Sequence, residues 1–87
     1  MLKILGFIIL GLFSFNAWAT QINVNKAEAQ VMAEGFDGIG MAKAEEIIRH
    51  REQHGDFKTL KDLEDVKGIG PKTVERNADK IKFSDTE

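Results

Sequence analysis

One five-residue pattern occurs twice in the chain, 30 residues apart, and it constrains the fold more than any other feature. Phe36-Asp37-Gly38-Ile39-Gly40 and Val66-Lys67-Gly68-Ile69-Gly70 both place an apolar residue two positions ahead of Gly-Ile-Gly. Glycine can adopt positive φ, so each copy predicts a compact turn whose isoleucine side chain points inward. The repeated pattern therefore predicts two copies of one supersecondary unit.

Helical signals surround the first turn. Asn25, with Glu28 three residues later, predicts a capping box for a helix that begins at Lys26. Gly35 suits the left-handed position that closes such a helix. After the turn, apolar residues at helical spacing predict a longer second helix that ends at Gly55.

The second unit repeats this order. Thr59 is a predicted N-cap with Asp62 at the capping-box position, and a short third helix follows. Pro71 fits the first turn of a fourth helix, where a missing N–H is tolerated. Asn77 is a candidate break in that helix, and residues 82–87 read as a polar tail. No strand is needed, so we predict an all-α domain of about four to five short helices.

The first 19 residues are a different kind of sequence. Lys3 precedes a run over residues 4–15 that is apolar apart from Ser14, and Ala17-Trp18-Ala19 supplies small residues where a signal peptidase cuts. A membrane anchor is the alternative, but a spanning helix needs about 20 apolar residues. We therefore expect residues 1–19 to be a secretory signal peptide, residues 20–87 to be the folded domain, and no stable membrane span to remain after cleavage.

Composition excludes several kinds of protein. The chain contains no cysteine, so a small secreted domain must be stabilised by helix packing or by binding rather than by disulfides. Lys3 is one of the 12 basic residues, which leaves 11 against 14 acidic ones in residues 20–87, a net charge of −3. A general polycation is excluded, and any binding of phosphate must be local. A domain of this size leaves little room for a catalytic pocket, so we expect neither an enzyme nor a cofactor.

The two turns carry the binding chemistry. Glycines let the backbone approach a phosphate group where a Cβ would clash, and the free N–H groups at the start of the next helix favour an anion. Those amides lie within residues 40–42 and 70–72, where Pro71 has none. His50 and His54 lie one helical turn apart, but no third metal ligand is evident. Histidines favourable to a helix C-terminal dipole are the better interpretation, and we expect no metal site.

The order of these features resembles the DNA-binding domain of ComEA-type competence proteins, a tandem helix-hairpin-helix domain. The resemblance covers nearly all of residues 22–83 and includes the following segments: Ile22-Asn23-Val24-Asn25, Gly38-Ile39-Gly40, Ile47-Ile48-Arg49-His50-Arg51-Glu52, Gly55-Asp56-Phe57, and Val66-Lys67-Gly68-Ile69-Gly70-Pro71-Lys72-Thr73. It implies binding of double-stranded DNA through the phosphate backbone, without sequence preference, during natural transformation. A signal peptide without a membrane anchor resembles the short periplasmic form of Gram-negative bacteria. Other components of the DNA-uptake machinery are further expected partners.

The resemblance implies a set of DNA-binding residues: Gly38, Gly40, Lys43, Lys67, Gly68, Gly70, Lys72 and Thr73. The first hairpin departs from the family pattern Pro-Gly-Ile-Gly-Pro-Lys-Lys, since Asp37, Met41 and Ala42 replace the two prolines and the first lysine. An acid at the turn is expected to repel phosphate. We therefore expect the second hairpin to be the stronger contact.

A different function remains open. Tandem hairpin domains can lose DNA binding, as in the extrinsic photosystem subunit of cyanobacteria, which resembles this fold and serves as a scaffold. Asp37, Ala42 and the negative net charge favour a scaffold or protein-interaction module. A glycosylase shares the motif but needs a much larger helical body.

Overall fold

The computed structural model describes residues 21–85, and in them each of the two glycine turns joins a shorter helix to a longer one. The elements follow in this order: β1 (Ile22–Asn23), α1 (Ala29–Gly35), α2 (Met41–His54), α3 (Leu60–Leu63), α4 (Pro71–Asn77), a 3-10 turn (Ala78–Lys80) and β2 (Ile81–Lys82). The predicted all-α class with two helix-hairpin-helix units is confirmed. The predicted signal peptide and its cleavage site lie outside the described residues.

A short pair of strands closes the ends of the domain. β1 and β2 are parallel, with Ile22 opposite Ile81 and Asn23 opposite Lys82. The N–H of Val24 continues the ladder by donating to the carbonyl of Lys82 at 3.1 Å. The expectation that no strand is needed is wrong for these residues, because two-residue strands are too short to show an alternating pattern.

The first helix begins at Ala29 rather than at Lys26, because Asn25 is engaged in tertiary hydrogen bonds. Its side-chain amide donates to the carbonyls of Phe57 and Phe83, both at 3.0 Å. Its Oδ1 accepts from the N–H of Phe57 at 2.7 Å. The side chain thus ties three distant segments together and is not available to cap a helix.

Neither predicted end signal of α1 operates as expected. Glu28 occupies the N-cap position but makes no capping bond with its side chain. Gly35 is the last residue of α1, and positive φ within residues 21–85 occurs only at Gly38, Gly55 and Gly68. Gly35 instead packs closely against β1, since a Cβ there would overlap Cδ1 of Ile22 and that side chain would have to move.

The other helix ends agree with the sequence. α2 ends at His54 and is capped by Gly55, whose φ is 93°. At α3 the hydroxyl of Thr59 accepts from the N–H of Asp62, and the Asp62 carboxylate accepts from the N–H of Thr59. The amide of Lys58 also donates to that carboxylate, and these bonds lower the pKa of Asp62. α4 starts at Pro71 and gives way to the 3-10 turn after its last residue.

One apolar core serves both units. Corresponding positions of the two turns point into it, since Phe36 and Ile39 are buried as are Val66 and Ile69. The remaining core residues come from every other part of the domain: Val24, Met32, Ala44, Ile47, Phe57, Leu63, Val74 and Ile81. No helix within residues 21–85 is long and apolar enough to cross a membrane.

A buried asparagine links the two units. Asn77 is fully buried, and its Oδ1 accepts from the N–H of Asp37 at 2.8 Å. Its Nδ2 donates to the carbonyl of Asp37 and to that of Thr73, each at 2.9 Å. The end of α4 is thereby hydrogen-bonded to the backbone of the first turn, 40 residues away in sequence.

Replacing Asn77 with alanine should therefore destabilise the whole domain. The change removes three hydrogen bonds and leaves the amide and carbonyl of Asp37 without partners, which predicts a loss of about 2 to 3 kcal/mol. Urea unfolding followed by circular dichroism measures this loss. The exposed Gln30→Ala variant is the control and should change stability by less than about 0.5 kcal/mol. A loss below that value for Asn77→Ala would contradict the linking role.

Candidate nucleic-acid interface

The two hairpin turns have nearly the same backbone geometry. φ is 78° at Gly38 and 89° at Gly68, a region that side chains other than glycine rarely adopt. The isoleucine that follows is 6% exposed in the first turn and 5% exposed in the second. The positive φ explains why glycine is favoured at the first position of each turn, directly before the buried isoleucine.

The second glycine of each turn has no such requirement. Gly40 and Gly70 are extended, with φ of −92° and −110°, which any residue can adopt. A Cβ built on either glycine meets no atom within 4 Å. Both positions would accept a side chain in the isolated protein, yet glycine occurs at both.

Backbone amides directly follow these open glycines. The helical bonds begin with Ala44 N–H to the Gly40 carbonyl at 2.9 Å and Val74 N–H to the Gly70 carbonyl at 3.2 Å. The amides of residues 41–43 and 72–73 precede this ladder, so no helical carbonyl is available to them. They lie beside a glycine that leaves space for an anion.

The cations of the hairpins are free of acidic partners. Lys43, Lys67 and Lys72 form no ion pair with any residue of the described segment 21–85. Five other cations of that segment are paired with carboxylates: Lys26, Arg49, Lys61, Lys80 and Lys82. Positive charge is therefore available locally at the hairpins although the chain as a whole is acidic.

The structure brings the hairpins of the two units together. The side chain of Lys43 lies against the second turn, with its Cγ 3.5 Å and its Cε 3.6 Å from a Cβ position built on Gly68. Lys67 and Lys72 are exposed, as a phosphate contact requires. Thr73 is half-buried and lines the inner cavity beside Val74. Lys43 and Gly70 are half-buried as well.

Asp37 is compensated more than the sequence suggests. Its carboxylate lies 3.0 Å from Nζ of Lys80, and both of its backbone polar groups are bonded to Asn77. The expected repulsion of phosphate by Asp37 stays a prediction, although Lys80 places a positive charge beside the carboxylate. A lysine 43 residues later in the sequence supplies the partner.

Arg76 is a residue that sequence reasoning missed. Its Nη1 lies 2.9 Å from a Cβ position built on Gly38, so the guanidinium lies against the first turn although Arg76 belongs to the second unit. It is exposed and has no ion pair within residues 21–85. No local motif contains it, and only the tertiary fold brings it to this position.

The remaining candidates of the sequence lie away from the hairpins. The ring of His50 stacks on Phe57 at 5.1 Å and lies 4.4 Å from the ring of His54. Within residues 21–85 no group of three or more metal-binding side chains occurs. Arg49 pairs with Glu46 at 2.8 Å, while Arg51 donates to the carbonyl of Val24 at 2.8 Å. Neither arginine contributes to the hairpin surface.

Comparison with known proteins agrees with this architecture. Residues 18–82 match the sequence model of the helix-hairpin-helix motif family, and the protein therefore belongs to that family. It is 43% identical over 63 residues to an uncharacterized protein of Haemophilus influenzae, which covers 72% of this chain and 56% of that protein. It is also 43% identical over 55 residues to ComE operon protein 1 of Bacillus subtilis, which covers 63% of this chain and 26% of that protein. The predicted resemblance to ComEA-type helix-hairpin-helix proteins is confirmed.

The two glycines of one turn should respond differently to the same substitution. Gly68→Ala forces a side chain into positive φ and should cost about 1 to 2 kcal/mol of stability. Gly70→Ala changes neither the backbone conformation nor the packing and should leave stability unchanged or raise it by up to about 1 kcal/mol. Urea unfolding of both variants tests this contrast. Equal losses for the two variants would show that Gly70 also has a structural role.

Proposed function

We propose that the protein binds double-stranded DNA through its phosphate backbone, without sequence preference, and acts by binding rather than catalysis. Membership of the helix-hairpin-helix family and the similarity to ComE operon protein 1 support this function. The phosphate-binding residues are the glycines and lysines of the two turns, with Thr73 in a minor role. We also propose that no cofactor is required.

The observation that carries this proposal is the pair of open glycines, Gly40 and Gly70. At both positions, neither the backbone conformation nor the neighbouring atoms require a glycine. A ligand that approaches the backbone closely does require one, because a methyl group would occupy the space of a phosphate oxygen. The same unexplained glycine at the equivalent point of both repeats indicates that one kind of ligand meets both turns.

The electrostatics favour a contact with few phosphates. Lys43, Lys67 and Lys72 are unpaired at the hairpins, while five other basic residues of the described segment are paired with nearby carboxylates. Such a surface attracts a polyanion locally and leaves the rest of the domain negatively charged. Contacts to phosphate carry no base information, so binding should be indifferent to sequence.

The proposed location is the periplasm, and the proposed role is that of DNA receptor in uptake during natural transformation. The apolar run and the Ala17-Trp18-Ala19 site support export through a cleaved signal peptide. Residues 20–87 would then hold incoming duplex DNA outside the cytoplasmic membrane. Other components of the uptake machinery are proposed as further partners.

Substitutions in the second hairpin should weaken binding without unfolding the protein. Gly70→Ala should cost about 1 to 3 kcal/mol of binding free energy through a clash with phosphate. Lys72→Ala should cost about 0.5 to 1 kcal/mol, equally for unrelated duplexes. Fluorescence anisotropy with two labelled duplexes of different sequence measures both losses. Lys26→Ala, which removes a lysine paired with Asp85, is the control and should bind like the wild type.

The results also separate the two functions. If the wild type binds neither duplex at low salt, the scaffold function is supported and the DNA-binding proposal is wrong. If it binds and Gly70→Ala binds equally well, the second hairpin is not the contact. A tenfold preference for one duplex would contradict recognition through phosphates alone.

Export can be tested independently of DNA. When the full chain is expressed in a Gram-negative host, we expect a periplasmic product whose amino-terminal residue is Thr20. Sequencing of the purified product by Edman degradation checks the cleavage site. An Ala19→Arg variant should block cleavage, since signal peptidase requires a small residue there. A wild-type product that begins at Met1 would contradict the proposed signal peptide.

A further inference from the structure

The first hairpin lacks a cation of its own at the positions where the second has Lys67 and Lys72. The corresponding residues are Asp37 and Ala42, and the retained Lys43 lies across the second turn rather than beside its own. If both turns bind phosphate, the first must obtain positive charge from elsewhere in the fold.

Arg76 supplies that charge. Its Nη1 is 2.9 Å from the Cβ position of Gly38, which is close enough that even a methyl group there would displace the guanidinium. The neighbouring carboxylate of Asp37 is engaged by Lys80 at 3.0 Å, so it does not neutralise the arginine. The guanidinium therefore lies exposed on the surface of the first turn with its donors available.

The position of Arg76 is determined by its neighbour in sequence. Asn77 is fully buried and binds both backbone polar groups of Asp37, which holds the last turn of α4 against the first hairpin. Arg76 directly precedes it and is held over Gly38 as a consequence. At the equivalent position of the first unit, 30 residues earlier, stands Glu46, which pairs with Arg49.

Each unit places a basic side chain on the turn of the other unit. The chain of Lys43, from the first unit, lies over Gly68 of the second turn, with three of its carbons within 3.9 Å of the Cβ position. Arg76, from the second unit, lies over Gly38 of the first turn. Each turn thus carries a side chain from the other repeat, on the same glycine in both cases.

We propose that Arg76 is a phosphate-binding residue of the first hairpin, contributed by the opposite repeat. The inference rests on the proposed DNA-binding function and adds a residue that the family pattern does not contain. Arginine can donate two parallel hydrogen bonds to one phosphate, which compensates for the single lysines missing from the first turn. The phosphate-binding surface is then a composite of both repeats, and neither hairpin is complete alone.

The test measures each hairpin separately during a titration with duplex DNA. In ¹⁵N-labelled wild-type protein, the amide signals of Gly38 and Gly40 and those of Gly68 and Gly70 should all shift. In Arg76→Ala the shifts at the first pair should be at most half as large, while the second pair keeps its shifts. Lys43→Ala should show the opposite pattern. Affinity should fall about threefold to tenfold for Arg76→Ala, and the salt slope should decrease by about one.

Two control variants test whether the effect is specific to the guanidinium of Arg76. Arg49→Ala removes an exposed arginine that is paired with Glu46 and should keep both affinity and the shifts at both hairpins. Arg76→Lys keeps the charge and should retain an intermediate affinity. Urea unfolding of Arg76→Ala should match the wild type, because the guanidinium has no partner within residues 21–85.

The possible failures are distinguishable. If the wild type shows no shift with DNA, the proposed function itself is wrong and the role of Arg76 falls with it. If the wild type responds but Arg76→Ala binds like the wild type, the role of Arg76 alone is wrong. An equal reduction at both hairpins would also overturn it, because that result indicates a general loss of charge rather than a contact at Gly38.

Discussion

The carboxamide of Asn77 is the interaction on which the arrangement of the two repeats depends. It bonds both backbone polar groups of Asp37 at 2.8 and 2.9 Å and is fully buried while doing so. Because a buried polar group without partners is costly, this pairing fixes how α4 lies against the first turn. For the same reason Arg76, directly before Asn77, reaches Gly38, and Lys80, three residues after Asn77, reaches the carboxylate of Asp37. The end of α4 at Asn77 thus determines which side chains from the second repeat lie on the first turn.

The features predicted from the sequence are those that local chemistry determines. Two Gly-Ile-Gly turns, the Thr59 capping box and the proline at the start of α4 depend on residues within a few positions of one another. The role of Asn25 could not be predicted, because its side-chain amide donates to the carbonyls of Phe57 and Phe83, which are distant in sequence, and does not cap a nearby helix. The strand pair and the position of Arg76 also depend on contacts between distant segments, which one sequence does not reveal.

In the candidate site, too, some features follow from neighbouring residues and others only from the tertiary structure. Its glycines follow from the repeated motif, but the structure separates them into a first glycine that positive φ favours and a second, at the start of the next helix, where neither φ nor the neighbouring atoms require a glycine. Net charge is a poor guide here, because what matters is which cations remain unpaired. Five basic residues of the described segment are paired with carboxylates, whereas Lys43, Lys67 and Lys72 at the hairpins are not. An acidic chain can in this way present a local surface for a polyanion.

The salt dependence of binding to random duplex DNA tests the central claim most directly. Each phosphate neutralised by a cation releases counterions, so the slope of log affinity against log salt concentration counts the contacts. Four unpaired cations on two hairpins, namely Lys43, Lys67, Lys72 and Arg76, predict a slope of about −3 to −4. A slope near zero, or no binding at low salt, would contradict the account of a composite phosphate-binding surface.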